Sequence, residues 1–92
     1  MWKKRDYQDP LYTKFRTAVL KRDKYTCQMC KCRTRKQLEV HHIMTWADAG
    51  TLRFDPGNGI TLCKPCHKSI TGQETYFQKL FLTIVSKNGK KT

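Results

Sequence analysis

Four cysteines in two C-x-x-C pairs, Cys27 with Cys30 and Cys63 with Cys66, are the residues whose type and spacing most clearly imply chemistry. Each pair closes a tight turn that aims two thiolates at one ion, and two pairs complete a tetrahedron. The spacing predicts a structural zinc on Cys27, Cys30, Cys63 and Cys66, because four thiolates leave no coordination position open for a substrate. A thiol redox pair, or a site of three cysteines and one histidine, are the other readings of these residues. The fifth cysteine, Cys32, follows Cys30 too closely to make a second knuckle of the same kind and reads as a spare thiol.

The second group is the histidines. Two of the three, His41 and His42, stand together in "LEVHHI", and the third, His67, directly follows Cys66. The knuckles are separated by 32 residues, Lys31 to Leu62, more than the ~15–20 of a simple zinc ribbon. The adjacent histidines lie within that insertion. A single histidine at a strand end is ordinarily a satisfied core group. Here the insertion, the zinc-side position of His67 and the basic surroundings point to a site. On a helix, neighbouring side chains diverge by about 100°, so Cys66 can face the zinc while His67 faces elsewhere.

These groups must be positioned by a small chain. With 92 residues it is expected to form one domain, 1–92, whose core needs a staple. An odd cysteine count argues against a disulfide framework. The opening "MWKKRDYQDP" has no apolar signal segment and no stretch approaches a membrane span, so a cytoplasmic protein with no membrane partner is expected. The net charge is +12, with +9 on residues 1–36 and +3 on residues 37–92. Such a balance suits a polyanion, nucleic acid above all, and predicts salt-sensitive binding through the basic N-terminal half.

The elements follow from local signals. Asp9 as N-cap and Pro10 in the first turn predict a helix over about 10–22, with Leu11, Phe15, Ala18 and Val19 as its apolar stripe. "LEVHHI" and "ITLC" read as short strands, "KPCHKSI" as a short helix, and residues 44–59 as a loop pinned by Trp46, Leu52 and Phe54. Thr71 and Glu74 have capping-box spacing and predict a last helix over about 72–86. Its broad apolar face carries Tyr76, Phe77, Leu80, Phe81, Ile84 and Val85, suited to the core or to a dimer contact.

In this order, "RDKYTCQMC", "LEVHHI", "FDPGNGITLC" and "CH" resemble the small zinc-stapled HNH endonucleases of bacteria and their phages, over about residues 10–70. The resemblance implies an α+β fold with a ββα-metal (His-Me finger) core over about 27–71, flanked by the two longer helices. It implies His42 as the general base and His67 as a ligand of a catalytic divalent metal. His41, standing where many members have Asp, becomes the second ligand. Asn58 would hydrogen-bond across the loop and hold the strand carrying His42. "PGNG" taken alone is ordinary turn chemistry. With His41 in place of a carboxylate, broad metal use is expected, with Mn²⁺ or Ni²⁺ at least as good as Mg²⁺ and Zn²⁺ a further candidate. In a regular strand His41 and His42 face opposite sides, so serving one site requires the strand to end, twist or bulge there.

The expectation is a metal-dependent DNA endonuclease, a monomer or homodimer. The resemblance adds a setting in packaging, with a phage terminase as partner, or in restriction. A non-catalytic zinc-stapled nucleic-acid-binding module is the alternative, and a partner-binding zinc domain a third. Arg53, Lys64 and Lys68 are candidates for phosphate contact or for plain solvated surface.

Overall fold

The computed structural model describes residues 9–44 and 50–89. Helix α1 runs Pro10–Arg22, where the sequence predicts it, because the Asp9 side chain accepts from the Leu11 N–H and Pro10 needs no partner for its nitrogen. Its stripe is rotated from the expected one. Tyr12, Phe15, Val19 and Leu20 are buried, Ala18 is half-buried, and Leu11 is 57% exposed. Helical spacing allows either Leu11 or Tyr12 to lead the stripe, and packing against the sheet selects Tyr12.

Strand β1 (Leu38–His42) pairs antiparallel with β2 (Gly59–Cys63), with Leu38 opposite Cys63 and His42 opposite Gly59. Helix α2 (Lys64–Ser69) follows β2 without a break, and α3 (Glu74–Gly89) follows after a turn at Gly72. The result is α+β, a ββα succession with a helix on each side, as expected.

Side-chain alternation sorts the sheet into two faces. A Cβ on Gly59 would stand 2.7 Å from both Phe15 and Val19, so this face lies directly beneath α1. Val40, Leu38 and His42 share it. The opposite face carries His41, whose ring meets Phe81 of α3 edge-on, together with Ile60 and Leu62. Phe15, Val19, Ile43, Ile60, Leu62, Ile70 and Phe81 form the centre of the core.

The last helix begins and ends later than the expected 72–86. Thr71 does not cap it. Its hydroxyl donates to the His67 carbonyl, while Glu74 accepts from the Gly72 N–H. Of its apolar face, Phe81 and Val85 are buried, Phe77 and Ile84 are partly covered, and Tyr76 and Leu80 are exposed. The inter-strand loop contains short 3-10 turns at Gly50–Phe54 and Pro56–Asn58. Phe54 packs on the core, Leu52 does not, and Trp46 lies outside the described residues. No helix among the described residues is long and apolar enough to cross a membrane.

A polar node closes the outer edge of β2. Asp23, 3% exposed, accepts from Arg22, from the Thr61 N–H and from Asn88. Arg22 also donates to the Pro56 and Gly59 carbonyls at 2.7 Å, on either side of Asn58. One buried ion pair thereby ties α1, β2 and the end of the inter-strand loop, and Asn88 joins α3 to them.

Candidate metal centres

The four knuckle cysteines converge although 32 residues separate the pairs. Their Sγ atoms all lie within 4.8 Å of one another, with Cys30 and Cys63 at 3.5 Å. Four thiolates on one zinc would stand about 3.8 Å apart, so the set fits the ion. Cys63 ends β2 and Cys66 lies in the first turn of α2. A metal here joins strand, helix and the segment after α1. The first knuckle is shaped by the Lys31 N–H to the Cys27 carbonyl and the Cys30 N–H to the Cys27 sulfur, with Lys31 at a φ of 69°. Cys32 lies outside the cluster, packed against the core, and its carbonyl accepts from the Cys27 N–H.

The thiols respond differently to this crowding. Burial raises the Cys27 pKa, but the N–H groups of Cys30, Cys63 and Met29 outweigh it and bring the thiol down to about 6. At Cys63 the Cys66 N–H favours the thiolate, yet burial and the neighbouring Cys30 and Cys27 sulfurs push the pKa up. Cys66 is pushed well up, first by burial and then by the sulfurs of Cys63, Cys30 and Cys27. Without a cation the cluster resists collecting several negative charges. A divalent ion relieves that resistance, which is the electrostatic mark of a thiolate metal site.

The histidines divide between the two faces of the sheet. Regular pairing continues through His42, so His41 and His42 point to opposite sides. The structure brings His41 and His67 together, with Nδ1 of His41 3.3 Å from Nε2 of His67. Two nitrogens about 2.0–2.1 Å from one ion stand roughly 3.3 Å apart in a tetrahedron, so the pair also fits a metal. His67 Nδ1–H donates to Glu39 Oε1 at 2.8 Å, which turns Nε2 toward His41. This is the carboxylate–histidine arrangement that orients metal ligands.

His42 sits on the α1 side. Its ring stacks on Phe15, with centroids 4.8 Å apart and planes 18° from parallel. Its Nε2–H donates to the Arg53 carbonyl at 2.8 Å, which leaves Nδ1 as the ring's proton acceptor. Asn58 is 3% exposed. Its Oδ1 accepts from the Met44 N–H and its Nδ2 donates to the Met44 carbonyl, while its own carbonyl accepts from the Ile43 N–H. It therefore clamps the chain just beyond His42.

Sequence reasoning did not find Glu39, Arg22 or Asp23. For Glu39 a signal was present, since residues 39 and 41 share one face of a strand. Arg22 and Asp23 are adjacent in a basic stretch and reveal their roles only through distant partners.

A two-stranded sheet leading into a short helix, four clustered cysteines able to hold a metal such as zinc, and a histidine pair joining strand and helix define a small ββα protein. The HNH endonuclease family model matches residues 27–73, 47 of the 92 positions, and the chain belongs to that family. Members act on nucleic acid and are usually nucleases. No curated protein and no solved structure matches the chain.

Proposed function

We propose that the protein is a metal-dependent DNA endonuclease that hydrolyses phosphodiester bonds. The observation that carries this reading is the approach of His41 Nδ1 to His67 Nε2 at 3.3 Å, with Glu39 on the outer nitrogen of His67. A merely structural zinc domain has no need of an oriented imidazole pair beside its thiolate cluster. A divalent ion bound there supplies Lewis-acid stabilisation of the charge that builds on the phosphoryl and leaving oxygens.

The chain's own residues do the rest. His41 and His67 hold the ion, and Glu39 keeps the His67 ring in register. His42 acts as general base through Nδ1, its tautomer set by the Arg53 carbonyl, and takes the proton of the attacking water. Asn58 holds the Met44 peptide and with it the end of β1. In-line attack of the water on phosphorus breaks the P–O3′ bond, and the departing 3′-oxygen takes a proton from solvent, giving 5′-phosphate and 3′-hydroxyl ends. Imidazole ligation favours Mn²⁺, Ni²⁺ or Zn²⁺ at least as much as Mg²⁺. The setting we infer is bacterial or phage DNA processing, in packaging beside a terminase or in restriction.

One observation favours a second reading. His42 is 5% exposed and stacked on Phe15, on the opposite face of the strand from the His41–His67 pair. A zinc-stapled DNA-binding module without catalysis would tolerate that placement. The deciding assay is nicking of supercoiled plasmid with Mn²⁺, Ni²⁺, Mg²⁺ or EDTA, using wild type and His42→Ala. The nuclease reading expects metal-dependent cutting that His42→Ala abolishes while DNA binding survives. Binding without cutting under every metal would assign the module.

A further inference from the structure

A groove of about 650 Å³ opens beside the imidazole pair, between α1, the turn before β1 and α2. Leu38 and Val40 of β1 form its floor, Tyr12 lines its α1 wall, and His67 lies at its α2 end. Among the described residues four cations line it: Arg16 from α1, Arg35 and Lys36 from the turn, and Lys64 from α2. All four are exposed. Among the described residues Glu39 is the only acid in the lining, and its carboxylate already accepts from His67. The groove therefore carries an unbalanced positive charge that ends at the site proposed for chemistry. Arg35 is also pre-positioned, its guanidinium carbon 4.1 Å from the centroid of the Tyr25 ring.

The geometry points to this groove as the track for one phosphodiester strand of duplex DNA. Arg16, Arg35, Lys36 and Lys64 contact phosphates that neighbour the scissile one. The assignment of a partner rests on the nuclease reading, but the contacts themselves require no cleavage. A polyanionic backbone satisfies four separated cations, whereas a small anion reaches only one or two of them. The floor offers apolar side chains rather than hydrogen-bonding groups aimed at base edges. The groove thus supplies position and affinity, with little sequence preference.

The test is fluorescence anisotropy with a labelled DNA duplex, using zinc-loaded protein without added catalytic metal, over a series of salt concentrations. Each lost phosphate contact should lower the slope of log K against log salt by about 0.9. Single changes Arg16→Gln, Arg35→Gln, Lys36→Gln and Lys64→Gln should each remove about one unit, and the combined variant about three or more. Arg35→Lys with Lys36→Arg keeps the charges and should keep most of the slope. Lys79→Gln with Lys87→Gln, on the exposed side of α3 away from this groove, should change it little. An unchanged slope in the combined variant, an equal loss in the α3 pair, or no DNA binding by wild type would each overturn the assignment. A protein that binds through the groove but never nicks plasmid would refute the nuclease reading alone. Nicking with no groove contribution would refute the groove alone.

Discussion

Glu39 holds His67 across the seam between strand and helix, with His67 Nδ1 and Glu39 Oε1 2.8 Å apart. The carboxylate accepts from one ring nitrogen and so turns the other toward His41. The partners are 28 positions apart in the chain, and the turn from β2 into α2 brings them together.

Removing that support should loosen the imidazole pair without disturbing the zinc knuckle. Glu39→Ala is expected to weaken Co²⁺ or Mn²⁺ binding at the pair by about 10–100-fold. Calorimetry, with the Co²⁺ absorption band as a second readout, measures it in zinc-replete protein. Glu39→Gln, which keeps an acceptor oxygen, should lie between Ala and wild type. Equal affinities in all three proteins would remove Glu39 from the site.

The thiol cluster predicts a pH dependence with a definite sign. The folded Cys27 pKa of about 6 lies below the ordinary 9.0, so in metal-free protein its stabilising contribution is complete above 9 and disappears as pH falls through 6. Cys63 and Cys66 are shifted upward and favour the folded state below 9, an advantage lost as pH rises further. At neutral pH these two hold protons that zinc must displace. Zinc affinity should therefore rise with pH by at least two logarithmic units per pH unit around neutrality, and more steeply below about 6. Competition with a chromophoric chelator across pH 5–8 checks this. A slope of one or less would mean that fewer thiols take part.

Asn58→Ala leaves the Met44 N–H and carbonyl without the partner they share. The expected cost is about 1–3 kcal/mol for the stranded groups, read by chemical denaturation. Nicking activity should fall further than stability explains, because the clamp sits two residues beyond His42. A variant of wild-type stability and activity would make Asn58 an ordinary turn residue.

Gly59→Ala tests the contact beneath His42. The new methyl would lie 2.7 Å from Phe15 Cζ and from Val19 Cγ2, both in the packed core. Helix α1 must then move away from the sheet, at a cost of about 1–3 kcal/mol. The stack of Phe15 on His42 should open with it, visible as a shift of the His42 ring resonances. An unchanged melting temperature would show that α1 gives way freely.

Local chemistry made part of this protein legible from its residues. Asp9 and Pro10 mark the start of α1 because capping operates within one turn, and each C-x-x-C pair reads as a knuckle because its ligands are three positions apart. Alternation along "LEVHHI" already places His41 and His42 on opposite faces. The HNH resemblance led to Asn58 and His67, whose motifs span the inter-strand loop and its return strand.

Contacts between distant segments required the tertiary structure. Tyr12 rather than Leu11 leads the buried stripe because the sheet approaches α1 from that side, at Gly59. Thr71 has the spacing of a cap, but its hydroxyl turns back to the His67 carbonyl. Arg16, Arg35, Lys36 and Lys64 look like scattered surface charge until α1 and α2 close around β1. The sequence by itself determined which candidate ligands and bases the protein carries, because chemistry resides in residue type and short-range spacing. Only the tertiary structure decided that His41 meets His67 while His42 meets Phe15, because the face each ring occupies depends on which elements pack above and below one pair of strands.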